Sequence, residues 1–163
     1  MQKHALVTGA SEGIGHSIAA RLVKEGYLIT GVARNEEKLK AMVIEFGNGH
    51  SYWVADLSTE AGQNSVVQRM GQQHFDLLVN NAGVGTVGAF TDVAIEKQMA
   101  MMNLNCGALV RLSHAYLKNS KVGDALINVS STLAFMPMPG IGLYSATKSF
   151  VTSFTETVWY VQK

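Results

Sequence analysis

The 163-residue sequence has one cysteine, two prolines and only 15% charged residues. Cys106 alone allows no intrachain disulfide, and no Cys/His pairs stand at zinc-ligand spacing, so a reducing, cytoplasmic setting is expected. His4, His16, His50, His74 and His114 show no metal-ligand spacing either, and no metal is expected. No apolar run approaches the ~18 residues of a membrane helix, and Ala5–Val7 is too short for the apolar region of a signal peptide. No membrane partner is expected. Thirteen Lys+Arg against twelve Asp+Glu leave a net charge of +1, too weak a field to gather nucleic-acid phosphates. No nucleic-acid partner is expected.

Hydrophobic residues make up 47% of the chain, enough to bury one core, and the length predicts a single domain over residues 1–163. Short apolar runs at His4–Thr8, Leu28–Ala33, Tyr52–Val54, Phe75–Val79 and Ala125–Val129 read as five buried parallel strands. Amphipathic stretches separate them. Ile14, Ile18, Ala19, Leu22 and Val23 recur at helical spacing, and further helices are expected at Glu36–Phe46, Thr59–Gln73, about Ala94 to Leu117, and from about Leu143 to the C-terminus. Strands alternating with helices imply right-handed crossovers and a doubly wound, Rossmann-like α/β sheet in the strand order 3-2-1-4-5.

Glycine is the compositional excess, with 16 residues. Three of them, Gly9, Gly13 and Gly15, follow the first strand in the stretch Thr8-Gly9-Ala10-Ser11-Glu12-Gly13-Ile14-Gly15. Chance yields that spacing about 0.15 times in such a chain, so position matters more than pattern. A glycine turn between a strand and a helix suits a dinucleotide pyrophosphate, because the backbone approaches closely and the helix N-terminus offers free N–H groups. The same glycines also serve a purely structural turn. After the second strand comes Ala33-Arg34-Asn35, without the acid that would bind a ribose 2′-hydroxyl. The Arg34 guanidinium suits the 2′-phosphate of NADP(H), which favours that cofactor over NAD(H). Glu12 works against this if it faces the same ribose.

Tyr144 and Lys148 stand one helical turn apart, on one face of the last helix. A phenol transfers protons near neutrality only when a nearby positive charge stabilises its phenolate, and Lys148 supplies that charge. Upstream lie Asn128-Val129-Ser130-Ser131 at the end of the fifth strand, Asn80-Asn81-Ala82-Gly83 after the fourth, and Asn105 in the long helix.

With these motifs in this order, the sequence resembles the short-chain dehydrogenase/reductase family, in the branch whose turn reads TGxxxGxG. The resemblance implies a cofactor turn at Gly9, Ser11, Gly13, Ile14 and Gly15, an adenine contact at Asp56 and Leu57, and a cofactor-contacting segment at Asn81, Ala82 and Gly83. It also implies a catalytic set of Asn105, Ser131, Tyr144 and Lys148, the last two touching the cofactor as well. Ser130 competes with Ser131; the thirteen-residue distance from Ser131 to Tyr144 fits the family spacing. By the same resemblance, Tyr144 passes a proton to or from the substrate oxygen, Ser131 hydrogen-bonds that oxygen, Lys148 also holds nicotinamide-ribose hydroxyls, and Asn105 holds a water.

The apolar loop Phe135–Pro139 favours a small apolar carbonyl or alcohol substrate, although it serves equally as core packing. The helices around 104–117 and 143–162 carry more apolar side chains than one sheet face covers, so a homo-oligomer is expected. Family members continue past the tyrosine helix into further strands. The sequence is therefore expected to match only the N-terminal part of the family, to hold the adenosine half of the cofactor and to turn over carbonyls poorly. A non-catalytic dinucleotide-binding module or a purely structural subunit are the alternatives.

Overall fold

The computed structural model describes residues 2–161. Its strands are β1 (His4–Thr8), β2 (Leu28–Ala33), β3 (Ser51–Val54), β4 (Leu77–Asn80) and β5 (Ala125–Asn128). They form one parallel sheet in the order β3-β2-β1-β4-β5, as expected. β1 lies at the centre, with Leu6 paired to Thr30 on one side and Leu78 on the other. Side chains alternate between faces, and both faces are covered. Leu6, Val32 and Leu78 meet Val66 and Met70 of α3 (Glu60–Met70) and Leu112 and Tyr116 of α5 (Leu109–Leu117). On the opposite face Ala5, Val7, Ile29 and Val79 meet Ala19 of α1 (Gly13–Lys24) and Leu39 and Met42 of α2 (Glu36–Phe46).

Helix starts follow local chemistry. The Asn35 side chain accepts from Lys38 N–H at the head of α2, and Thr59 accepts from Gly62 N–H at the head of α3, each satisfying a donor that the helix itself cannot. Thr59 therefore caps α3 instead of opening it, and the helix stops at Met70, short of the expected Gln73. β4 begins at Leu77, later than the expected Phe75, which instead packs its ring against Trp53 and His4.

The largest departure lies in the stretch expected as one helix from Ala94 to Leu117. It divides into α4 (Ile95–Met102), a π-helical turn at Asn103–Ala108, and α5. The wider turn buries Asn105, whose amide bonds the backbone of Val84, while Gln63 Nε2 donates to the carbonyl of Asn103. A single extra residue in one turn barely disturbs the apolar periodicity, which is why the sequence pattern does not register it.

The last helix, α6, spans Gly142–Val161. Its expected continuation to Lys163 falls on residues 162–163, outside the described ones. The N-terminus of α1, the segments after β4 and β5, and the first turns of α6 gather at the C-terminal edge of the sheet. That is the edge where open α/β sheets bind ligands.

Candidate active site

The glycine turn is shaped by contact as well as by conformation. A Cβ at Gly15 would lie 2.2 Å from Gly9 O and 2.4 Å from Asn81 Nδ2, distances no side chain tolerates. Asn81 is itself fixed: its Nδ2 donates to Thr8 O at 3.0 Å, and the Thr8 hydroxyl accepts from the N–H groups of Asn81 and Ala82. One threonine thus ties the end of β1 to the segment after β4. At the head of α1, Glu12 makes no side-chain cap, so the first N–H groups of that helix are left for a ligand.

A cleft of about 560 Å³ opens over this turn. Of the residues expected to hold a cofactor, Gly9, Ser11, Ile14, Arg34, Asp56, Leu57, Asn81, Ala82, Gly83, Tyr144 and Lys148 line it. Gly13 and Gly15 shape the turn behind it. Burial works to raise the Asp56 carboxyl, but hydrogen bonds from the Ser58 hydroxyl and N–H, with the Arg34 charge, outweigh it and hold the group below its usual value. Arg34 makes no ion pair among the described residues. Glu12 also lines the cleft, and its carboxylate pairs with the Lys38 ammonium of α2. That bond, first, and then the charge of Lys38 lower the Glu12 carboxyl. Sequence reasoning missed Lys38, because only the fold brings the head of α2 to Glu12.

At the other end of the cleft Lys148 is 5% exposed, with Nζ donating to Val129 O at 2.9 Å and lying 5.9 Å from the Tyr144 ring centroid. Burial lowers the lysine from its ordinary value, partly countered by Cys106. Gly83 and Gly85 pack against this pair: a Cβ at Gly85 would meet Tyr144 Cδ2 at 3.3 Å, and one at Gly83 would meet Lys148 Nζ at 3.5 Å.

The two serines have different surroundings. Ser130 lines the cleft, but its hydroxyl donates to Lys148 O at 3.0 Å and pairs with Thr152 Oγ1 at 2.7 Å. Ser131 stands just outside the lining, and its Oγ accepts from Leu133 N–H at the start of a short 3-10 turn. Nothing among the described residues takes the Ser131 hydroxyl proton. Asn105 also lies behind the cleft wall. Its Oδ1 accepts from Val84 N–H, and its Nδ2 protons go to Val84 O and Thr147 Oγ1. Both Nδ2 protons are thus taken within the protein, and Oδ1 accepts one bond there.

A family model described as short chain dehydrogenase matches residues 3–159. The chain belongs to this family. It is 33% identical over 155 residues to a serine 3-dehydrogenase of Agrobacterium fabrum, a match covering 92% of this chain and 62% of that protein. Among solved structures, a short-chain dehydrogenase from Sphingobium yanoikuyae in complex with NADPH superposes with a TM-score of 0.87 at 30% identity, over 96% of this chain and 64% of that one. A bulky-bulky ketone specific alcohol dehydrogenase from Comamonas testosteroni gives a TM-score of 0.89 at 28% identity, over 96% of this chain and 66% of that one. The chain therefore spans under two thirds of the length of these short-chain dehydrogenases.

The cleft of this family member fits a dinucleotide. The Gly9–Gly15 approach leaves no room for a Cβ, the α1 N-terminus lacks a side-chain cap, and Arg34 stands at the rim with no ion-pair partner among the described residues. Together they offer backbone donors and a fork-shaped cation to phosphate groups. No helix among the described residues is long and apolar enough to cross a membrane.

Proposed function

We propose that this chain binds NADP(H) in the cleft and serves an oxidoreductase that interconverts a carbonyl and an alcohol, on a small apolar substrate. The observation that carries this reading is the meeting, in one cleft, of the α1 N-terminus, Arg34, Tyr144 and Lys148. Gly9, Ser11, Gly13, Ile14 and Gly15 hold the pyrophosphate on backbone donors. Asp56 and Leu57 face the adenine, and Asn81, Ala82 and Gly83 line the middle of the cleft. Arg34 takes the 2′-phosphate, which favours NADP(H) over NAD(H).

The cofactor, when bound, supplies or accepts the hydride. Tyr144 gives its phenolic proton to the substrate oxygen in reduction and takes one from the alcohol in oxidation. Ser131 donates its hydroxyl proton in a hydrogen bond to that oxygen as charge develops. Lys148, anchored on Val129 O, holds its ammonium beside the phenol and offers its remaining protons to ribose hydroxyls. Asn105 acts as a positioning residue through Val84 and Thr147.

Apolar side chains support the substrate class. Val87, Phe135, Met136 and Met138 are exposed, and a cavity of about 230 Å³ between Phe90, Val93, Met138 and Leu143 adjoins Tyr144 in sequence. Met99, Met102, Val110 and Phe150 are exposed on the α4–α5 and α6 surfaces, and a homo-oligomer that covers them is part of the proposal. So are a single domain and a cytoplasmic setting, where the free thiol of Cys106 persists.

NADPH titration monitored by its fluorescence, followed by turnover with a series of aliphatic and aromatic ketones, tests this reading. Saturable binding with slow oxidation of NADPH is expected. Binding without oxidation favours a non-catalytic dinucleotide module, and no binding overturns the assignment. A monomer by sedimentation at micromolar concentration removes the oligomer.

A further inference from the structure

At the end of the sheet opposite the cleft, the segments entering β4 and β5 carry His74, Asp76 and Asp124. One ligand atom from each lies within 4.8 Å of the others. His74 Nε2 is 3.2 Å from Asp124 Oδ1. The carboxylates are held by fixed backbone donors: His4 N–H bonds Asp76 Oδ2 at 2.7 Å, and Lys121 N–H bonds Asp124 Oδ2 at 2.6 Å. Each aspartate thus has its Oδ2 pinned, and Asp124 Oδ1 pairs with His74 Nε2, the contact that a bound ion would replace. Donors that orient ligating carboxylates in this way are what metal centres place around their ligands.

The charge at this spot is unbalanced. The Asp124 side chain is only 7% exposed, and among the described residues no lysine or arginine forms an ion pair with either aspartate. The two carboxylates face the His74 imidazole, with the His4 ring beside Asp76. A cavity of about 320 Å³, walled by His74, Phe75, Tyr116 and Lys121, opens on the His74 side of the cluster.

We propose that His74, Asp76 and Asp124 form a binding site for a divalent transition-metal ion of the zinc class. One imidazole nitrogen and two carboxylate oxygens are a mixed N/O set that suits zinc or cobalt, with water completing a tetrahedron. His74 binds through Nε2, its single proton moving to Nδ1. The dication meets two carboxylate groups and one imidazole. The ion ties the segment before β4 to the segment before β5, which also meet through the backbone bond from Ala125 N–H to Asp76 O and the contact of His74 with Asp124. The site stands apart from the cofactor cleft and does not depend on its reading. Sequence spacing hides it, since His74 and Asp124 are 50 residues apart.

The test is cobalt titration of chelator-treated protein followed by visible absorption, with thermal unfolding in the presence and absence of zinc. Saturable d–d absorption is expected, and at free zinc about 100 times Kd the midpoint rises by several degrees. His74→Ala, at an exposed position, and Asp124→Asn, which keeps an oxygen for Lys121 N–H, each weaken cobalt binding by on the order of 10–100-fold and remove about half or more of the zinc-dependent rise. Both variants fold if their midpoints without metal stay near that of the starting protein. Absence of d–d absorption and of a zinc effect overturns the proposal. An undiminished response in both folded variants also overturns it, placing the metal elsewhere, as at His16 and Glu45.

Discussion

The side-chain amide of Asn105 grips the backbone of Val84 at both polar groups, Oδ1 accepting from its N–H at 3.0 Å and Nδ2 donating to its carbonyl at 2.9 Å. The clasp joins the π-helical turn to the loop that packs on Tyr144. Asn105→Ala leaves both Val84 groups and Thr147 Oγ1 without this partner, which costs about 1–3 kcal/mol. Urea unfolding measures it. A change below about 0.5 kcal/mol would show that water replaces the clasp.

The amide clasp also marks where the sequence stops being legible. The strand order and both layers follow from apolar runs and helical spacing, because burying those runs leaves few other arrangements. The glycine turn is legible too, since its spacing encodes a close approach between Gly15 and Gly9. Long-range polar geometry is not. The π-helical turn at Asn103–Ala108, the Glu12–Lys38 pair and the meeting of His74 with Asp124 each depend on side chains far apart in sequence, and no periodicity reports them. The choice between Ser130 and Ser131 needed family spacing, and the structure now adds a physical difference between their hydroxyls.

Those serines separate under substitution. Ser130→Ala removes the bonds to Lys148 O and Thr152, so it lowers stability by about 1 kcal/mol and shifts turnover less. Ser131→Ala leaves stability near its starting value and lowers kcat by about 100-fold, the cost of one donor to a developing oxyanion. Paired unfolding and kinetic measurements decide it; the reverse pattern would transfer the role to Ser130.

Tyr144→Phe removes the phenolic proton and almost no volume. Turnover of an apolar ketone falls by about 100-fold or more while NADPH affinity stays within about threefold. Retained turnover excludes Tyr144 as the proton donor.

Cofactor preference rests on competing charges at the cleft rim. Arg34→Asp lowers NADPH affinity by on the order of 10-fold more than NADH affinity, since a fork to the 2′-phosphate is lost and a repulsion gained. Glu12→Gln acts in the opposite direction, because it removes a carboxylate from the rim and frees Lys38. The ratio of the two dissociation constants at one fixed salt concentration checks both. Equal ratios in all three proteins would dissociate Arg34 and Glu12 from cofactor choice.

His50 links stability to pH. Its Nδ1 accepts from Ile29 N–H at 3.0 Å, and Ile29 is fully buried. Burial holds the imidazole below its ordinary value of 6.5, and His4 is the titratable group whose charge couples to it. A base depressed in the folded state binds fewer protons there than in the unfolded chain, so stability rises with pH across that window. The His50 contribution is complete above 6.5 and is lost as pH falls through the folded-state value, when protonated Nδ1 no longer accepts from Ile29. The urea midpoint therefore falls between about pH 7.5 and about pH 5. His50→Asn places an amide oxygen where Nδ1 stood and does not titrate, so its midpoint falls less over the same interval. An identical fall in both proteins would assign the pH dependence to other groups, His4 first among them.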